Sequence, residues 1–415
     1  MDQAVNPADT LVLLRLDGRL ELGSLRELVS ARLLRHERFR QRASESSSGV
    51  LRPYWEDERE FSLDAHVAEM DLEGTPEDLG ALLQRLANRR LDLSLSPWRI
   101  WLLHGAERSW LFAQVHHCMG DGFALLHVLL SIADRAPEAD ASNSTAPEAG
   151  REASRDGWPS RARSWAREGV RHIGALDRLL RLSFDEKTPL TGRPQGERRI
   201  AWSEGVALER VKALARARGA TINDVLLAAV AGALRRYVLS EDADACTVRA
   251  IVPVNLRPAG VPIELRRGNW FGVVFPELPI ASPSREARLH SVKREMNRIK
   301  SSREPAVALA ILALLGQLPA RLGRVVDRLF TKKASVVLSN VPGPREALHI
   351  AGRRVDDLTF WVAHPCGLSC GLSVISYAGW LRVGVRSDVA VIAEPDRIAG
   401  HFDEELRDWF EATET

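Results

Sequence analysis

Residues 109–122 read SWLFAQVHHCMGDG, and the rest of the chain is organised around them. Trp110 to Val115 form a short apolar run with aromatic and β-branched residues, the composition of a buried strand. His116 and His117 follow, then Asp121 between Gly120 and Gly122, then the helical pattern FALLHVLLSIAD. A strand that delivers polar side chains into a glycine-punctuated turn is a natural setting for an active site on a rigid scaffold. Neighbouring strand residues point to opposite faces, so His116 and His117 are expected to diverge and to form neither a chelate nor a relay. A neutral imidazole can take a proton from a hydroxyl or amine as that group attacks a carbonyl, so the segment reads as an acyl-transfer centre with one histidine as base. The same residues also read as two core or surface histidines beside a turn aspartate, and the segment alone leaves that alternative open.

Upstream, SPWRIWLLHGAERSWLFAQVH holds two apolar runs separated by Gly-Ala-Glu-Arg, a hairpin that leads into the histidines. Pro97 and Trp98 open it, read as an edge proline with a packed aromatic or as part of a substrate channel. Leu11–Leu16 reads as a strand and Leu22–Phe39 as a helix, with Leu22, Leu25, Leu28, Val29 and Leu33 on one face. A second helical stretch covers Pro76–Ala87. The opening is therefore α/β.

The 415 residues exceed a single core and predict two domains. A hydrophobic fraction of 45% with 27% charged residues is that of a soluble globular protein, and 57 basic against 55 acidic side chains leave no nucleic-acid footprint. The four cysteines, Cys118, Cys246, Cys366 and Cys370, are too scattered for a disulfide framework, and no second pair accompanies Cys366 and Cys370 to make a metal site. No signal-peptide pattern opens the chain and no apolar run reaches the length of a membrane span, the best being AVALAILALLG from Ala306. The expected location is the cytoplasm.

From Arg135 to about Ser160 large apolar residues almost vanish, which predicts a flexible linker. SRARSWAREGVRHIGALDRLLRLSF then reads as an Arg-rich helix, either packed between domains or lying on an anionic membrane. These features divide the chain into 1–134, a linker and connecting helix over 135–190, and 191–415. A strand, a helix, a stop at Gly219 and a second helix follow, the last opened by Thr221 and Asp224 at capping-box spacing.

HHCMGDG resembles the HHxxxDG motif of the coenzyme A-dependent acyltransferase superfamily, which includes chloramphenicol acetyltransferase-like enzymes and peptide-synthetase condensation domains. TINDV at Thr221–Val225, VPVNLRP at Val252–Pro258, GNWFGVVFPELPI from Gly268 and SNVPGP at Ser339–Pro344 resemble, in order and spacing, one branch of it: the bacterial wax ester synthase/diacylglycerol acyltransferases. The specificity lies in the ordered set. Two departures leave acceptor preference open: a short lead before the first strand, and Ser96 ahead of Pro97-Trp98 where the family has a more regular PLW-type motif.

The resemblance implies two chloramphenicol acetyltransferase-like α/β domains, each a mixed sheet flanked by helices, with a substrate channel at their interface. It implies His117 as base with His116 supporting, Asp121 as an architectural residue holding the loop by buried pairing, and Gly122 leaving room for substrate. Asn223 is the candidate oxyanion donor, with Asp224, Pro97 and Trp98 along the channel. The implied partners are acyl-coenzyme A, as a substrate, and a long-chain alcohol or diacylglycerol, giving wax esters or triacylglycerols, with no cofactor and no metal. A condensation-type enzyme with an amine or other acceptor and a non-catalytic acyl-binding relative are the alternatives. Substrates barely soluble in water further imply peripheral contact with the inner membrane or lipid bodies.

One rival constellation is present. GLSCG at Gly367–Gly371 fits the G-x-S-x-G nucleophile elbow, with Asp388 and His401 following Ser369 in hydrolase order. An elbow needs a helix after the serine, whereas LSVISYAGWLRVGV reads as two strands around a Tyr-Ala-Gly turn, and His401 falls inside a helical pattern. A serine triad is therefore not expected.

Overall fold

The computed structural model describes residues 8–44, 54–72, 76–134, 174–179, 181–257, 263–267, 269–315, 331–364 and 367–414. In chain order the first half holds β1 (Asp9–Leu16), α1 (Leu22–Arg32), β2 (Gln41–Ser44), β3 (Tyr54–Asp57), α2 (Leu63–His66), β4 (Val67–Asp71), α3 (Pro76–Ala87), β5 (Trp98–His104), β6 (Ser109–His116) and α4 (Gly122–Leu130). After it come β7 (Arg198–Trp202), β8 (Val206–Ala207), α5 (Leu208–Ala217), α6 (Ile222–Ser240), β9 (Val248–Asn255), β10 (Phe271–Val274), β11 (Glu277–Leu278), α7 (Arg285–Lys300) and α8 (Glu304–Leu315). The chain closes with β12 (Val336–Pro342), β13 (His349–Ile350), β14 (Arg353–Trp361), β15 (Cys370–Tyr377), β16 (Trp380–Asp388) and α9 (Pro395–Glu414).

Two mixed sheets result. The first runs β13-β14-β1-β6-β5-β4, with only β4 and β5 parallel; the second runs β10-β9-β12-β15-β16-β7, with β12 parallel to both its neighbours. The hairpin expected around Gly105 is present as β5–β6, and the Tyr-Ala-Gly turn joins β15 to β16 with Ala378 and Gly379 both at positive φ. Both faces of β1 are covered: Val12, Leu14 and Leu16 enter one core cluster, Leu11 and Leu13 another with Trp101, Phe112 and Trp361. A strand buried on both sides reads as a nearly continuous apolar run, as LVLLRL does apart from Arg15.

The sheets do not part at one point in the chain. β13 and β14 lie late in the sequence, yet β14 pairs along β1 in the first sheet, Leu11 against Trp361 through Leu16 against Val355. The segment that returns from 191–415 thereby completes the sheet begun in 1–134. β14 also lies directly on the second sheet: Trp361 Nε1 donates to Ala201 O at 2.8 Å and Ser373 Oγ donates to Phe360 O. Gly384 on β16 permits this approach, since a Cβ there would overlap the Phe360 carbonyl. At the far edge of the second sheet α3 covers β7, whose backbone N–H groups would otherwise be open. Asn88, just past α3, takes both the Arg198 N–H (2.8 Å) and its carbonyl (2.7 Å), and Gln84 accepts from Ile200 N at 3.1 Å.

The expected helix over Leu22–Phe39 stops at Arg32 and gives way to two short 3₁₀ turns, with His36 extended between them. Packing overrides the helical pattern here: Phe39 is fully buried, lies 5.4 Å edge-on to Trp98, and its carbonyl accepts from Trp98 Nε1 at 2.9 Å. A straight helix could not turn that ring inward. The linker of 135–160 and most of the Arg-rich helix lie outside the described residues. Of the latter, residues 174–179 are helical, with Ala175 and Leu179 buried in the first core and Leu176 exposed.

The joint between β10 and α8 rests on Gly272, where a Cβ would fall on the Pro305 carbonyl. Gly272→Ala should therefore lower stability by about 1–3 kcal/mol through overpacking, read as a lower urea midpoint at unchanged slope. An unshifted midpoint would mean that the two elements are not in this contact.

Candidate active site

β6 ends at His116, which pairs across the sheet with Asp9, the first residue of β1. His117–Met119 then make one 3₁₀ turn, and Asp121 caps α4. His116 and His117 do diverge, but by a different route from strand alternation, because His117 has already left the strand. His116 turns inward, 7% exposed, and its Nδ1 accepts the Cys118 N–H at 3.2 Å. His117 is half-buried; its N–H donates to Ala8 O at 2.6 Å and its ring stands edge-on to Phe271, centroids 6.2 Å apart. Phe271 opens β10, so the His117 ring lies where the two sheets meet.

Burial holds the His117 pKa below the ordinary 6.5, outweighing a hydrogen bond to the residue's own carbonyl and the charge of Asp121, which both raise it. A ring kept neutral in this way can accept a proton.

The Asp121 carboxylate, 5% exposed, ties three segments together. Oδ1 accepts from Ala124 N at 2.8 Å, satisfying an orphan amide of α4. Oδ2 accepts from Arg257 Nη2 at 3.3 Å and from Trp270 N at 3.3 Å. Arg257, 7% exposed, follows β9, and Trp270 directly precedes β10. The HHCMGDG loop is thus fastened to the second sheet by a buried ion pair. Gly120 and Gly122 differ: a Cβ on Gly120 would strike Leu265 Cδ2, whereas around Gly122 nothing lies within 4 Å. The open backbone is at Gly122.

Thr221 and Asp224 form the expected capping box of α6, Thr221 Oγ1 accepting from Asp224 N at 3.2 Å and Asp224 Oδ2 from Thr221 N at 2.9 Å. Asp224 is buried at this cap. Asn223, half-buried beside it, accepts from Asn340 Nδ2 at 3.0 Å, which joins TINDV to SNVPGP. Trp98, read as a channel residue, is instead 1% exposed, stacked on His66 at 4.6 Å. Pro97 contributes its carbonyl, which accepts from His116 N at 2.9 Å. Both hold the strand end from behind, because a ring so enclosed has no face left for substrate.

The serine constellation does not assemble. Strand β15, not a helix, follows Ser369; the Asp388 carboxylate accepts from the N–H groups of Gln195, Gly196 and Ala390, and His401 lies on α9 bonded to Glu404. Cys370 is buried with its thiol pushed up to about 12 by desolvation, and Cys366 lies outside the described residues. Arg257, Trp270 and Phe271 stand against the histidine loop, and sequence reasoning missed them as individual residues. The signal was there in VPVNLRP and GNWFGVV, but nothing in those stretches names Asp121 or His117 as what they touch.

Truncating one member of a buried pair costs about 3–5 kcal/mol, so Asp121→Ala should lower the thermal midpoint together with activity. Asp121→Asn, which keeps a capping oxygen, should lose less. An inactive Asp121→Ala protein with unchanged melting would assign the carboxylate a direct part in chemistry.

With this geometry in place, likeness to known proteins is informative. The family model described as wax ester synthase/diacylglycerol acyltransferase catalytic domain matches residues 11–226, more than half of the chain, and the WS/DGAT C-terminal domain matches residues 267–409. The probable diacylglycerol O-acyltransferase tgs1 of Mycobacterium tuberculosis is 29% identical over 392 residues, covering 89% of this chain and 84% of that protein. The putative diacylglycerol O-acyltransferase Rv0895 of the same organism is 31% identical over 376 residues, covering 80% of this chain and 73% of that protein. Among solved structures, the wax ester synthase/diacylglycerol acyltransferase of Marinobacter aquaeolei VT8 superposes with a TM-score of 0.69 at 19% identity, over 100% of this chain and 97% of that one. The first condensation domain of the CDA synthetase gives 0.62 at 19% identity, over 98% and 91%. These two likenesses bear on the fold, and they agree with two chloramphenicol acetyltransferase-like domains. The chain belongs to the wax ester synthase/diacylglycerol acyltransferase family and is an acyltransferase of that type.

Proposed function

We propose that the protein moves a fatty acyl group from acyl-coenzyme A to the hydroxyl of diacylglycerol or a long-chain alcohol, with His117 as general base. The observation that carries this reading is the His117 ring: burial favours its neutral form, and it stands where the two sheets meet, edge-on to Phe271. Nε2 takes the proton of the acceptor hydroxyl as its oxygen attacks the thioester carbonyl. The tetrahedral oxyanion collapses with loss of the thiolate, which recovers the proton from His117. No covalent enzyme intermediate and no cofactor enter this sequence. Asn223, whose side-chain oxygen accepts from Asn340, would offer its amide N–H groups to the oxyanion. Asp121 serves by holding the loop.

The acceptor follows from the relatives' names, which specify diacylglycerol O-acyltransferases. Because the condensation fold is shared, an amine is the competing acceptor. Labelled palmitoyl-coenzyme A supplied with diacylglycerol, hexadecanol or an amine should give triacylglycerol or wax ester; amide as the main product would overturn the O-acyl reading. His117→Ala should reduce turnover about 10²- to 10⁴-fold with the fold intact, and wild-type rates in that variant would remove His117 from the chemistry. The protonated ring is inactive and burial favours the neutral form. The acid limb of kcat/KM should therefore have its midpoint below 6.5, activity falling as pH falls through it. A midpoint above 6.5 would contradict the buried, neutral base.

The proposed setting is the cytoplasm, with peripheral attachment at the inner membrane or lipid-body surface. Among the described residues no helix is long and apolar enough to cross a membrane. The two segments proposed to dock are the Arg-rich stretch of residues 160–184 and the apolar stretch from Ala306 with Arg321, Arg324 and Arg328 after it; their described parts lie close together, Arg178 Nε being 3.4 Å from Glu304 Oε1 at the start of α8. Leu314, 64% exposed, and Phe184, 58% exposed, are among their largest apolar groups open to solvent. Arg321, Arg324 and Arg328 lie outside the described residues. Nearby arginines are each attracted to anionic headgroups by roughly 1 kcal/mol, screened by salt. Vesicle flotation should rise with anionic lipid and fall with salt; equal, negligible binding throughout would rule this attachment out.

A further inference from the structure

Asp9 opens β1, the position at which a strand frays most readily, yet it is 1% exposed. Its Oδ1 accepts from Arg386 Nη2 at 3.2 Å, its Oδ2 from Gln114 Nε2 at 2.5 Å, and its backbone carbonyl from Arg386 Nη1 at 2.7 Å. Arg386, also 1% exposed, belongs to β16 of the second sheet, and Gln114 lies on β6 two residues before His116. The register sets Asp9 opposite His116, and the carbonyl one residue earlier, on Ala8, accepts the His117 N–H. A continuous path therefore runs from Arg386 through Asp9 and Ala8 to the backbone of His117. On its other side Arg386 approaches His364, whose pKa is held well below 6.5 by burial and by the guanidiniums of Arg198 and Arg386. Arg198 Nη1 in turn lies 4.0 Å from Asp388. The two guanidiniums and two carboxylates balance across a neutral imidazole.

A buried ion pair is a weak source of net stability, because desolvating both charges offsets their attraction. It is a strong source of position, since a guanidinium fork gripping a carboxylate and a carbonyl together admits one placement. We propose that Arg386 and Asp9 are positioning residues for the base: they hold the end of β1, and through Ala8 the backbone of His117, at a set distance from the sheet that carries Phe271. The consequence for turnover rests on His117 being the base; the structural link does not.

Arg386→Lys, which keeps the charge but not the fork, and Asp9→Asn, which keeps the volume, test this against Arg288→Lys. Arg288 pairs with Glu405, both 2% exposed, in the helical layer on the second sheet. Hydrogen exchange is followed by mass spectrometry in peptides spanning residues 109–122, with kcat and KM for acyl-coenzyme A measured well below the melting temperature. In the two test variants, exchange at the His117 turn should quicken roughly tenfold. The turnover number should drop about 10- to 100-fold, with KM within about twofold of wild type. Arg288→Lys should lower the melting temperature and leave both readouts unchanged. If Arg386→Lys does not fold, Asp9→Asn carries the test. Unchanged exchange at residues 109–122 overturns the link, and quickened exchange with unchanged turnover overturns the positioning role. A wild-type protein that acylates no acceptor would overturn the O-acyl reading and leave the exchange result standing.

Discussion

The fold of this protein depends on carboxylates that lie in one sheet and are satisfied from the other. Asp121 is the central case. A carboxylate taken out of water must find compensating donors, and it finds them in α4 above it and in Arg257 and Trp270 from the far side of the interface. The loop bearing His117 therefore cannot settle until both sheets have formed. Asp9 repeats the logic on the neighbouring strand, with Arg386 as its partner. The turn that bears His117 stands between two such fastenings.

The same interface governs the charge state of the site. Burial of His117 favours the neutral ring, and the nearby Asp121 charge, which pulls the other way, is the smaller effect. His364, between two guanidiniums, is neutral for a stronger version of the same reason. Its depressed pKa means that the unfolded chain binds a proton the native state refuses. Stability linked to it is present above 6.5 and is lost as pH falls below that value.

Connectivity gives the interface its rigidity. β14 pairs along β1 and also lies on β15 and β16, close enough that Gly384 cannot bear a side chain. A strand returned late in the chain to complete an early sheet leaves few ways for the two sheets to slide. Short contacts such as Gly272 against Pro305 then carry that rigidity to Phe271, the ring facing the histidine.

Local sequence was sufficient wherever the governing physics is local. The β5–β6 hairpin, the capping box of Thr221 and Asp224, the strand–turn–strand that removes Ser369 from contention, and the buried pairing of Asp121 all follow from periodicity, turn chemistry or motif resemblance. What failed was what packing decides: the helix from Leu22 breaks so that Phe39 can meet Trp98, and Trp98 itself is walled in and does not line a channel. The partners across the interface were invisible for the same reason. Asp121 and Arg257 are far apart in the chain, as are Asp9 and Arg386, and no spacing rule links an aspartate to an arginine more than a hundred residues away. An imidazole able to act as a base, ahead of a glycine-bracketed aspartate, was legible in the chain, but it was the ordered set of motifs that pointed to the acyltransferase family. Where that imidazole sits and what keeps it there came from tertiary packing, because burial and ion pairing exist only once the two sheets have closed on each other.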